Sequence, residues 1–422
     1  VIANFERWKA DPNSNSLDSL GVADYRRVDE RTVEVELGEA RAQALWIIGY
    51  SWGILAPEAV TMHANALSGD PTKLIGTGPF KVESYTRGQG LVLTGNPDYT
   101  SAPGDSANQG PAYLERVEVN FVSDPAVRVG LLTSNQAGVI ANVPAMFLPQ
   151  IEASPDYQIH RMEAPGIPFQ ISLNTQKPPL DDILVRQGLR ASFDIKAALD
   201  AIYFGQYPQA WSILSASTPA YDPALEGSFS FDADGAGRLL DEAGWAERDS
   251  DGIRIKDGKR LELTWAVRAA TVEDQRDILA EALQAMARSA GISILRTPMD
   301  SGAYTNVMRE GSYHLTDRAA STPDPYILRR LYGSDMLPTA GLNYSRVADP
   351  ELDAILAPLM NSSDDALRTA NARQVQALVN QNVWAIPVYP RTLHFGSRAE
   401  VQGLGFDVSG WLDSWQNVWI SR

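Results

Sequence analysis

Gly49-Tyr50-Ser51-Trp52-Gly53 matches the G-x-S-x-G elbow, which lifts a serine nucleophile onto a strained turn between a strand and a helix. Residues 45–48 offer a strand before it, and His394 is a downstream histidine. Pro57 follows Gly53 too soon for the helix that the elbow needs, and no His-Gly-Gly segment offers an oxyanion hole. A serine hydrolase using Ser51 is therefore the alternative reading, not the first. His63, His160, His314 and His394 form neither H-E-x-x-H nor an i,i+4 pair, so no metal site is expected. Asp249-Ser250-Asp251-Gly252 begins like a calcium loop, but Arg260 occupies the place of the twelfth-position glutamate, which predicts a polar turn between strands. Gly76-Thr77-Gly78 precedes a strand instead of opening a helix, and no phosphate-cradling G-x-x-x-x-G-K-S/T segment exists. No catalytic residue and no cofactor is expected.

The elements that must position any site follow from composition and periodicity. The 422 residues carry 36 Lys+Arg against 52 Asp+Glu, a net charge of −16. That balance argues against nucleic acid or an anionic bilayer as the main partner. A hydrophobic content of 44% and a mean hydropathy of −0.21 describe a globular chain. At roughly 150 residues per domain it holds two or three domains. There is no cysteine, hence no disulfide and no thiolate chemistry. No apolar run reaches a membrane span of about 18 residues. Residues 1–11 do not read as a signal peptide. Alternation predicts strands over 25–28 and 32–37, and further strands over 80–85, 91–94, 117–122 and 158–162. Helices are expected over 2–9, 57–67, 126–132, 183–193, 233–243 and 365–380. The clearest lies over 273–289, with Ile278, Leu279, Ala282, Leu283 and Met286 at helical spacing. It stands between strands over 261–267 and 292–297, a βαβ unit. A strand over 385–389 follows. The class is α/β with at least two lobes.

Gly76-Thr77-Gly78-Pro79-Phe80-Lys81-Val82, then Gly88-Gln89-Gly90-Leu91-Val92-Leu93 and Asn96-Pro97-Asp98-Tyr99, resembles the signature of extracellular solute-binding proteins of the oligopeptide/dipeptide/nickel class, the capture subunits of ABC importers. Asn174-Thr175-Gln176-Lys177-Pro178-Pro179-Leu180-Asp181-Asp182 with Val185-Arg186-Gln187, Tyr221-Asp222-Pro223, Leu239-Leu240-Asp241-Glu242-Ala243-Gly244-Trp245, Pro323-Asp324-Pro325 and Asn343-Tyr344-Ser345 follow in the family's order. The resemblance implies a two-lobed α/β periplasmic-binding-protein (venus-flytrap) fold that closes over a solute by a hinge. It divides the chain into 1–70, the remainder of a small subdomain of the first lobe; 71–168, that lobe's core; 169–397, the second lobe; and 398–422, a return to the first. Phe5-Glu6-Arg7-Trp8 looks like a segment from inside the family's mature protein, so the N-terminal opening of the first lobe is expected to be absent. The resemblance further implies a monomer in the periplasm or at the cell surface, a membrane permease as partner, no nucleic acid, and a lipid anchor on any preceding segment.

In the family's peptide binders, an aspartate two residues before the Pro-Asp-Pro turn holds the peptide's α-amine. Here that position is Ser321, and the usual upstream tryptophan is Arg318. A hydroxyl cannot replace the carboxylate against a buried amine. Arg318 suits a carboxylate or phosphate instead. Trp52 and Trp211 are candidate stacking surfaces for a sugar or flat ligand. Phe169, Gln170, Tyr207 and Asn142 lie on segments with which the family borders its cleft. The expected solute is therefore a sugar, an opine-like or anionic compound, or a modified peptide. Trp245, Trp384, Trp415 and Trp419 are expected to be structural, and Asp324 to hold its turn.

Overall fold

The computed structural model describes residues 1–11, 14, 16–62, 69–407 and 415–421. The chain divides into two compact units, one of Val1–Arg161, His394–Asp407 and the C-terminal residues, the other of Met162–Leu393.

In the first unit, helix Ile2–Ala10 buries Phe5 and Trp8. The strands predicted by alternation form the antiparallel hairpin Val22–Arg27 with Val33–Leu37. Residues 45–48, offered above as a strand, lie in helix Ala44–Ser51, where Trp46 and Tyr50 stack at 5.0 Å across one turn. A short apolar run fits either structure until such spacing decides. The helix expected over 57–67 is present as Pro57–Met62, and His63 lies outside the described residues. Strands Phe80–Thr86, Gly90–Gly95 and Arg116–Asn120 make an antiparallel sheet. Asp124 caps helix Pro125–Thr133, accepting from the Ala126 and Val127 amides at 2.8 and 3.0 Å. That helix packs Val129 and Leu132 into a core with Ile140, Val143, Leu148 and Ile151. Near the C-terminus, Gln416 Nε2 donates to Asn108 O at 2.6 Å. Trp419, expected to be structural, is 45% exposed on the two-residue strand Trp419–Ile420.

His394 is buried in this unit, and burial lowers its pKa to about 4. An unfolded imidazole takes up a proton near pH 6.5. Between those values the unfolded chain binds more protons, so stability falls as pH falls through that window. His160 and His314 shift in the same direction, chiefly through burial. Calorimetry from pH 7 to 4.5 should show a falling melting temperature, with a shallower fall in His394→Gln. A pH-independent melting temperature would contradict this account.

The second unit is built on a five-stranded sheet of β1 (Gly166–Leu173), β2 (Glu262–Arg268), β3 (Ser293–Met299), β4 (Leu315–Ser321) and β5 (Ala385–Tyr389), in the order β3-β2-β4-β1-β5. β2 runs parallel to β3 and β4, whereas β1 is antiparallel to β4 and β5. Helix α1 (Arg276–Ser289) connects β2 to β3, as the βαβ pattern predicts. It starts three residues later than expected because Asp274 and Gln275 adopt left-handed backbone angles, φ 51° and 55°. Its buried residues are Arg276, Leu279, Ala280, Leu283 and Ala287; Ile278, read above as part of the apolar stripe, is 49% exposed. Helix α2 (Ser301–Glu310) carries the chain from β3 back past β2 to β4. Beyond β4, α3 (Ile327–Tyr332) and α4 (Asp365–Asn382) bury Leu328, Leu331, Val375 and Val379 in one core with Ile167 and Ala385 of the sheet. The Asp249–Gly252 segment is a turn, as expected: Arg260 pairs with Asp249 at 3.1 Å and with Asp251 at 3.2 Å.

Candidate functional site

The chain leaves β2 to one side, toward β3, and then passes back to the other side, to β4. With right-handed crossovers this puts α1 and α2 on opposite faces and opens a crevice at the carboxyl ends of β2 and β4. In open α/β sheets that crevice is where ligands bind. β5 is parallel to β4, so Arg268, Met299, Ser321 and Tyr389 all end strands on this edge, and Gly166 begins β1 beside them. Gly166 has φ +114°, and a Cβ there would lie 2.5 Å from the Ala320 carbonyl oxygen. Only glycine lets β1 approach β4 so closely at the site's margin.

Arg318 is half-buried on β4, with its guanidinium 5.3 Å from the Tyr344 ring centroid. Its Nε is buried without a hydrogen-bond partner, and among the described residues it forms no ion pair. Three residues on, Ser321 Oγ accepts from Arg391 Nη1 at 3.0 Å. Arg391 Nε lies 3.8 Å from Glu273. Glu273 also sits 3.2 Å from Arg276, whose Nε donates to Tyr389 Oη at 2.9 Å and whose guanidinium covers the Phe169 ring at 4.7 Å. Arg268 Nε donates to Ser301 Oγ at 2.9 Å. Between Arg276 and Arg296, burial pushes the Asp317 carboxyl up to about 6, opposed by both guanidinium charges. Four arginines (Arg268, Arg276, Arg318, Arg391) thus occupy this end of the sheet together with Glu273, Asp274, Asp317 and Asp300, which follows Met299.

The structure brings Phe169, Gln170, Arg318 and Ser321 onto the adjacent strands β1 and β4. Gln170 is fully buried and Phe169 nearly so. Tyr207 reaches the same end through Tyr389, at 5.1 Å between centroids. Trp211 packs edge-on to Phe229 at 5.2 Å. Trp52 and Asn142 belong to the first unit. The Trp52 ring packs on Phe5 at 4.9 Å and Trp8 at 5.6 Å, and its Nε1 donates to Ser16 O at 3.0 Å. Asn142 is exposed with φ +53°, its carbonyl accepting from Arg128 at 3.2 Å. Sequence reasoning missed Arg391, Arg276 and Tyr344. Arg391 follows Pro390 at the end of a recognised strand, the one signal that pointed to it. Asp324 holds its turn: Oδ1 accepts from the Tyr326 amide at 2.8 Å and pairs with Arg368 at 2.5 Å. Ser51 ends helix Ala44–Ser51, so the strand-turn-helix elbow of the hydrolase reading does not exist. Among the described residues, no group of three or more His, Asp or Glu is placed to hold a metal ion.

The family of bacterial extracellular solute-binding proteins, family 5, matches residues 1–335. The chain belongs to that family. This solute-binding protein is 24% identical over 402 residues to the dipeptide-binding protein of Escherichia coli (strain K12), covering 92% of this chain and 70% of that protein. It is 24% identical over 370 residues to heme-binding protein A of Haemophilus influenzae, covering 86% of this chain and 63% of the relative's length. NikA from Brucella suis in complex with Fe(III)-EDTA has the same fold, with a TM-score of 0.82 at 19% identity, over 99% of this chain and 83% of that one. These relatives are binding proteins and not enzymes, and the serine hydrolase alternative finds no support among them. Among the described residues, no helix of the solute-binding protein is long and apolar enough to cross a membrane. Its signature residues are largely scaffold. Asn174 Nδ2 donates to Tyr313 O at 3.0 Å, and Arg186 donates to Leu180 O at 2.7 Å and to Asn382 O at 3.0 Å.

Proposed function

We propose that this chain is the solute-binding component of an ABC importer, working outside the cytoplasm as a monomer. It captures a small anionic solute and passes it to a membrane permease without chemical turnover. Relatives are named for a dipeptide and for heme, so the family does not fix the solute. The observation that carries the anionic class is Arg318: a guanidinium at the ligand-binding end of the sheet, resting on Tyr344, with no acidic partner among the described residues. Ser321 supports the same reading. Where the peptide binders hold an ammonium with a carboxylate, this protein has a hydroxyl bonded to Arg391, whose charge repels an ammonium.

Native mass spectrometry of the purified protein, repeated after denaturation, tests the proposal. The expected result is a released molecule bearing a carboxylate or phosphate. A ladder of free-amine peptides or a neutral sugar would overturn it. If the protein is empty, thermal-shift titration with carboxylates and their methyl esters decides. Preferential stabilisation by the acids is expected, and equal effects refute the anionic class.

A further inference from the structure

Arg318 and Gln170 are directly opposite one another across β4 and β1, so their side chains leave the sheet on the same face. Gln170 is 0% exposed, and neither its Oε1 nor its Nε2 has a hydrogen-bond partner. Arg318 Nε is likewise buried and unpartnered. The Tyr332 hydroxyl, carried on α3, lies by the Gln170 amide but makes no hydrogen bond of good geometry. Four orphan polar atoms therefore gather around one residue pair. Buried amides are almost always bonded, and leaving one unbonded is costly. A position serving only to pack would hold an apolar side chain.

We infer that Gln170 is a positioning residue for Arg318: its Oε1 is the acceptor for Arg318 Nε–H when the outer guanidinium nitrogens engage the solute's anionic group, with the Tyr332 hydroxyl orienting the amide. Gln170 has no exposed surface and so acts through Arg318. This rests on the anionic reading of the Arg318 site.

Full-length wild type, Gln170→Met and Gln170→Glu test it. Phenylglyoxal reacts with guanidinium groups and reports on Arg318 by peptide mapping without any solute. Labelling of Arg318 should rise at least threefold in Gln170→Met. It should fall below wild type in Gln170→Glu, whose carboxylate pairs with the arginine. The melting temperature of Gln170→Met should equal or exceed that of wild type, because two unbonded polar atoms leave the interior; a merely structural glutamine would give a lower one. Titrations with benzoate and methyl benzoate then read the preference for an anion, which should shrink at least fivefold in Gln170→Met. Unchanged Arg318 labelling in both variants overturns the positioning role. Wild type showing no preference for benzoate overturns the anionic reading instead, and the labelling still decides the role of Gln170.

Discussion

Replacing Arg318 by methionine is expected to weaken binding of the anionic solute about a hundredfold. Charge-assisted hydrogen bonds are worth roughly 1.5–3 kcal/mol each, and about 2.8 kcal/mol is a factor of a hundred. The melting temperature should move little, since Arg318 has no ion pair to lose among the described residues and gives up only its cation–π contact with the Tyr344 ring, worth about 1 kcal/mol. Arg318→Lys should lie between, with a charge but no two-pronged fork. The measurement is calorimetric titration with the solute released in native mass spectrometry. An Arg318→Met protein that binds as tightly as wild type would remove Arg318 from the site.

The largest stability effect is expected from Asp324→Ala. Asp324 and Arg368 form a pair with side chains 14% and 10% exposed, and Arg368 also donates to Leu359 O at 3.2 Å. Removing the carboxylate leaves a nearly buried guanidinium with only the solvent-exposed Asp365, 3.6 Å away, as counter-charge, a loss of about 3 kcal/mol. It also deletes the acceptor for the Tyr326 amide, which holds the turn between β4 and α3. For a unit of this size the melting temperature should drop by roughly 10 °C. The double variant Asp324→Ala/Arg368→Leu should recover part of that drop, because the stranded charge is gone. A single variant melting within 2 °C of wild type would show the pair to be dispensable.

Much of this protein is legible in residues that lie close together in the chain. The hairpin at residues 22–37, the capped helix after Asp124, the parallel βαβ unit around α1 and the turn at Asp249 each follow from alternation, helical spacing, a capping residue or turn chemistry. The two strands that carry the site are harder to read. In β1, Ile167, Phe169, Ile171 and Leu173 alternate with Gly166, Pro168, Gln170 and Ser172, but Pro168 interrupts the run and all eight residues are buried, so the alternation marks no solvent-facing side. β4 reads Leu-Thr-Asp-Arg-Ala-Ala-Ser, a polar run with no apolar period at all. Its strand conformation is imposed by its neighbours β2 and β1, a constraint between segments distant in sequence.

Family membership and the exceptional residues are properties of the amino-acid order. Motifs read in chain order carry the first, and Arg318 and Ser321 stand out as departures from it. Those motifs do not name the solute, because their side chains mostly satisfy backbone groups, as Asn174 and Arg186 do. Packing gives those departures their surroundings. It sets Arg391 on Ser321, leaves Arg318 beside Tyr344 with no ion pair among the described residues, closes Gln170 off from solvent and puts Trp52 into an aromatic cluster. A charge acquires its partners, and an aromatic ring its surroundings, only when strands and helices far apart in the chain are packed together; no local pattern encodes that outcome.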